Sequence, residues 1–108
     1  MQAENIADFK KFTESLERDR SFRFASIARA SLGCTLRRSG DPVEARHEFC
    51  MAGSNLVKAC ESSRRELLQV NDDGRKKEIL EGIRADLEMA RRYFILVQKM
   101  PMKLRSER

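Results

Sequence analysis

A chain of 108 residues with a net charge of +5, 36% charged and 41% apolar residues, two prolines, five glycines and no tryptophan has room for one core lined by charged helices, and none for a second. Its longest apolar run, Tyr93 to Val97, is far short of the roughly 20 residues that a membrane span needs, which excludes that class. Cys34, Cys50 and Cys60 are odd in number and widely spaced, so no disulfide framework is expected and the cysteines read as small apolar residues. The first residues, Met1-Gln-Ala-Glu-Asn, show neither a basic start nor an apolar stretch before a small-residue cleavage site, and a cytoplasmic protein is expected.

Helical spacing appears first over residues 3 to 18, where Ile6, Phe9, Phe12 and Leu16 form one apolar stripe. A second helix is expected from Ser21 to Arg38 on Ala25, Ala28, Leu32 and Leu36, with Ser39-Gly40 as its stop. The third start is the sharpest local signal: Asp41 can accept first-turn amides, Pro42 fits the first helical position and Glu44 completes a capping-box-like spacing. From Pro42 a stripe of Ala45, Phe49, Ala52, Leu56, Cys60, Leu67 and Val70 runs without a breaker to Asn71-Asp72-Asp73-Gly74. Gly53 interrupts it at a cost of about 1 kcal/mol relative to alanine, which marks either a close helix crossing or a break near Gly53 to Asn55. The turn at 71 to 74 leads into a fourth helix carrying Ile79, Ile83, Leu87, Ala90, Phe94 and Val97, which Pro101 ends. The expected architecture is an all-α four-helix antiparallel array over residues 1 to 100, with a long C-terminal hairpin and a basic, mobile tail at 101 to 108.

The segment from about residue 26 to 59 carries Leu32-Gly33, Leu36, Ala45, Phe49 and Ala52 in the order and spacing of small and large packing residues of the tetratricopeptide repeat, and it resembles that family. Gly33 and Ala45 let two helices approach while Leu32, Leu36 and Phe49 fill the space between them. The segment departs from the family pattern at Arg29, where a tryptophan is usual, and at Val57, where a proline usually ends the second helix. Shifting the pattern by 34 residues either way finds no second copy, so a single repeat is expected, capped by helix one and the last hairpin or by a second chain. The resemblance implies that the first helix of the hairpin lines a groove for an extended or helical peptide.

On the face of helix two opposite its stripe stand Arg20, Arg23, Ile27, Ala30, Cys34, Arg37 and Arg38, basic at the ends and apolar in the middle. These are the expected partner-binding residues, for an acidic or amphipathic segment of another protein. On helix four, Tyr93, Ile95, Leu96 and Met100 widen the apolar surface and mark a possible dimer or partner interface. Asp86 falls within the apolar arc of the same helix and requires an arginine or Tyr93 as partner.

Charge is concentrated: residues 20 to 40 sum to +5 and residues 99 to 108 to +3, while residues 1 to 19 sum to −2. A small basic helical nucleic-acid-binding protein is therefore the alternative reading, although no nucleic-acid motif is present. An enzyme is not expected, because the chain has a single histidine, His47, and no phosphate loop, nucleophile elbow or paired catalytic carboxylates. His47 and Cys50 are three apart, yet no second pair completes a metal's ligands, so neither a metal nor a cofactor is expected. The sequence reads as an adaptor, chaperone-like or inhibitory module.

Overall fold

The computed structural model describes the backbone of residues 3–102 and the side chains of residues 5–102. The expected tail beyond Met102 lies outside the described residues. Asp41 caps α3 (Pro42–Gln69) as its position before Pro42 requires, its carboxylate accepting the Glu44 N–H at 3.2 Å. α4 (Asp73–Gln98) starts inside the expected turn, because Asp72 accepts the Gly74 N–H at 2.9 Å and so serves as its cap. α2 (Phe22–Arg38) closes with the Ser39 hydroxyl donating to the Thr35 carbonyl at 2.9 Å and Gly40 at φ 84°. α1 (Ala3–Arg18) ends in the same pattern, the Ser21 N–H donating back to the Leu16 carbonyl at 2.9 Å as the Asp41 N–H does to the Leu36 carbonyl at 2.9 Å, but Arg20 and not a glycine occupies the left-handed region, at φ 62°. Glycine is favoured there, and an L-residue costs about 1–2 kcal/mol.

The four helices form an antiparallel all-α array with no strand among the described residues. α2 and α4 both pack along α3, and α1 packs on α2 from the other side. The register follows from paired positions: Ser26 donates to the Ala52 carbonyl at 2.8 Å, Gly33 meets Phe49, Phe49 stacks on Tyr93 with ring centroids 6.1 Å apart, and the Cys60 thiol faces the Ile83 carbonyl at 3.7 Å. α2 and α4 consequently run parallel to one another on α3. Leu36, Ala45, Phe49, Val97 and Met100 form the buried centre at one end, with Ile6, Ala30, Cys50, Tyr93 and Leu96 packed against it. The Cα radius of gyration is 16.1 Å, above the roughly 13 Å of a compact chain of this length, so the array is extended and leaves much of its helical surface uncovered.

α3 is continuous through Gly53, which settles the choice between a crossing and a break. A Cβ there would stand 2.7 Å from the Phe94 ring, and one at Gly33 would stand 2.8 Å from the Phe49 ring. Both glycines therefore admit an aromatic ring against helix backbone, at the two interfaces that flank α3. Val57 lies within the same unbroken helix, and α3 runs on to Gln69.

Several stripe positions differ from the expectation. Phe12 is 54% exposed and Thr13 is fully buried instead. The reason is rotational: α1 turns Glu17 and Lys10 toward α2 and α3, and this puts Thr13, four residues before Glu17, inward while Phe12 swings about 100° away. Leu67 and Val70 are only half-buried, because the outer part of the last hairpin, beyond the start of α2, has two helices and no third, and Leu87 is 49% exposed although its neighbour Asp86 reaches α2.

Helix propensity alone makes Gly33→Ala and Gly53→Ala stabilising by about 1 kcal/mol. Overpacking opposes this by about 1–3 kcal/mol. Gly33→Ala is expected to lower the unfolding free energy by about 1–2 kcal/mol, because Phe49 is enclosed at 3% exposure, while Gly53→Ala is expected to cost less, because the half-buried Phe94 ring can turn aside. Urea titrations of the two variants check both the sign and the order.

Candidate functional site

The orientation of α2 is set by an arginine inside the core. Arg29, 6% exposed, makes a two-pronged bond to Glu17 of α1, Nε to Oε2 at 2.9 Å and Nη2 to Oε1 at 2.8 Å, and its Nη1 donates to Glu48 Oε1 of α3 at 2.9 Å. Asn55 of α3, fully buried, adds its amide N–H to Glu17 Oε2 at 2.7 Å. One guanidinium thus ties three helices together. The bonds to Arg29 hold the Glu17 carboxyl below the usual carboxylate range, against burial, which raises it in part; Asn55 and the nearby Lys58 charge add to the lowering. The bonds to Glu17 and Glu48 likewise raise Arg29, so the pair is fully ionised at neutral pH.

A second ion pair joins α2 to α4. Asp86, 8% exposed, accepts from Arg23 Nε at 2.8 and 3.1 Å and lies 2.8 Å from Arg23 Nη2. The expected arginine partner of Asp86 is therefore Arg23, and Gly82 leaves room for it, since a Cβ at that position would stand 3.1 Å from Nη2.

Between these two anchors α2 turns its remaining face outward, and a groove of about 330 Å³ opens between α2 and α4. Ile27, Ala30, Ser31, Cys34, Thr35 and Arg38 of α2 line it together with Tyr93 of α4. Ile27 is 62% exposed, Cys34 and Arg38 are exposed, and burial pushes the Tyr93 hydroxyl above its ordinary value, with the Cys34 thiol a smaller contributor. The result is an apolar floor with a cationic rim.

The residues singled out in the sequence separate into three groups. Ile27, Ala30, Cys34, Arg38 and Tyr93 come together in this groove, and Arg37 is exposed just outside its lining. Arg20 and Arg23 do not join them: Arg20 lies over the Phe22 ring, 5.6 Å from its centroid, and Arg23 is held by Asp86. Met100 is 8% exposed inside the core and Leu96 packs against that core, so of the expected helix-four patch only Ile95 remains on the surface outside the groove. The chain turns back after α4 and places Met100 in one buried cluster with Leu36, Ala45 and Phe49.

His47 is exposed and Cys50 half-buried, and no group of three metal-ligating side chains exists among the described residues. No described helix is long and apolar enough to cross a membrane. Comparison with protein-family models, curated proteins and solved structures gives no match.

Removing the cation from the buried cluster strands two carboxylates. Arg29→Met is expected to lower the unfolding free energy by about 3–5 kcal/mol, far more than the loss of a surface pair, as measured by urea denaturation at pH 7.

The pH dependence has a defined sign. Glu17 titrates lower in the folded chain than in the unfolded one, so its contribution is complete above the unfolded value of about 4.3 and is lost as pH falls through the depressed value. Glu17→Gln is expected to be less stable at pH 7 and to lose less stability than the parent between about pH 5 and pH 3. Urea midpoints across that range check it.

Proposed function

We propose that the chain is a protein–protein interaction module whose α2–α4 groove receives an acidic, amphipathic segment of another protein, in the manner of an adaptor, chaperone-like or inhibitory domain. The observation that carries this reading is the open groove itself: exposed Ile27 beside Ala30 and Tyr93, with Arg38 in the lining and Arg37 next to it. An apolar floor takes the apolar face of a bound helix or strand, and guanidinium forks at the rim take its carboxylates. Neither arginine has an ion-pair partner among the described residues, so both are free to meet one.

The tetratricopeptide-like reading of residues 26–59 supports the same use. In that family the first helix of the hairpin faces the peptide, and α2 is the corresponding helix here. Three free cysteines, of which Cys34 is exposed in the groove, suit a reducing, cytoplasmic setting. Catalysis finds no support in a groove whose titratable groups are one tyrosine, one thiol and one arginine, without a carboxylate or histidine in its lining.

A fluorescein-labelled helical peptide of alternating leucine and glutamate turns is a direct probe. Fluorescence anisotropy is expected to show saturable binding to the parent and none for the same peptide with lysine in place of glutamate. The double variant Arg37→Glu, Arg38→Glu is expected to weaken binding at least about tenfold, roughly 1.4 kcal/mol or more, with unchanged far-ultraviolet circular dichroism. Equal binding by parent and double variant removes the groove from the account. Preference for a DNA duplex over the peptide, with steep salt dependence, would support the nucleic-acid alternative instead.

A further inference from the structure

A second concave surface lies at the other end of α2, away from the groove just described. It is a depression of about 490 Å³ where the end of α1, the start of α2 and the middle of α3 meet. Four cations line it: Arg18 and Arg20 from the α1–α2 junction, and Lys58 and Arg65 from α3. Phe22 lies among them, with the Arg20 guanidinium 5.6 Å and the Lys58 ammonium 5.7 Å from its ring centroid.

None of these four cations has a carboxylate within ion-pair distance among the described residues. Glu17 also lines the depression, but its oxygens are taken by Arg29 and Asn55. Glu61 is then the single uncommitted carboxylate against four positive charges. Like charges gathered this way in one concavity repel each other, and an anion placed among them relieves the repulsion.

The backbone gives an independent reason to regard Arg20 as retained for its side chain. The turn that ends α1 places this residue at φ 62°, where glycine is the favoured residue, yet arginine stands there and reaches over Phe22. The adjoining first turn of α2 carries no acidic residue, and Ser21 makes no side-chain cap.

We propose that this depression binds a small, multiply charged phosphate compound. Arginine forks match phosphate oxygens two at a time, the Lys58 ammonium adds a compact charge, and the Ser62 hydroxyl in the same lining can donate one further bond. The cations converge on one concavity instead of forming a track along the surface, which suits a compact polyanion better than the evenly spaced phosphates of a duplex.

Sodium triphosphate is the probe, titrated into the full chain at constant ionic strength while backbone amide signals and the thermal midpoint are followed. The expected result is saturable one-to-one binding that shifts the signals of Phe22 and Ser62 and raises the midpoint. Lys58→Ala and Arg65→Ala should each weaken binding about tenfold and leave the far-ultraviolet circular dichroism of the free protein unchanged. Arg20→Gly should weaken binding to a similar degree while raising the free protein's midpoint, a pairing of opposite effects that a merely structural arginine would not give. Shifts that grow without saturation and match those of sodium chloride, or variants that bind as the parent does, would overturn the proposal. A 20-base-pair duplex that displaces triphosphate and shifts signals along the whole of α2 would also overturn it, assigning the surface to nucleic acid.

Discussion

The array rests on burying one guanidinium. Arg29 sits at the place where three helices meet, and the free energy of leaving a charge there unpaired is several kcal/mol, so the fold is tolerable only with Glu17 and Glu48 in bonding position. That requirement fixes the rotation of α1 about its axis, the depth of α2 against α3 and the register between them. The exposed Phe12 and the buried Thr13 follow from it: the helix gives up an aromatic core contact to deliver a carboxylate. A hydrophobic residue at position 29 would tolerate several rotations of α1, whereas a two-pronged bond tolerates few.

The surface follows from the same constraint. With Arg29 directed inward and Arg23 drawn to Asp86, α2 presents Ile27, Cys34 and Arg38 outward beside Tyr93, and the arginines that remain unpaired divide between the two ends of the helix. The dense positive charge of residues 20 to 40 is therefore not one patch. Two of its five arginines hold the fold together, Arg37 and Arg38 stand by the α2–α4 groove, and Arg20 belongs to the depression behind it. Net charge is a poor guide to this partition, because pairing decides which cations are available to a ligand.

The helices were legible in the sequence wherever the signal was local. Asp41-Pro42 with Glu44 announced the start of α3 and Ser39-Gly40 the end of α2, because each acts through its own backbone or immediate neighbours, whereas Gly53 left a close crossing and a break both open until the Phe94 ring was placed against it. The buried ion-pair cluster, which the sequence did not reveal, is made of contacts between residues 12 to 38 positions apart. Arg29 stood out only as a departure from a familiar pattern, although it falls on the Ala25, Leu32 and Leu36 face of α2, and Glu48 falls between Ala45, Phe49 and Ala52 on the facing side of α3. Opposite charges inside two apolar arcs are the same signal that identified Asp86, and they would have pointed to the buried pair. The groove was legible as a face of α2, but not its second wall, since Tyr93 is 55 or more residues from every α2 residue in the lining.

The claim on which the rest depends is that Arg29 is locked in the interior and not mobile at the surface. The most direct measurement is the arginine side-chain Nε–H spectrum at neutral pH, with Arg29 assigned by substitution to lysine and its hydrogen exchange followed in deuterated water. The account predicts one well-dispersed Nε–H signal that exchanges only as fast as the whole chain unfolds, well separated from the rapidly exchanging signals of Arg37 and Arg38. An Arg29 signal that exchanges as rapidly as theirs would contradict it, and with it the fixed orientation of α2 on which both proposed sites rely.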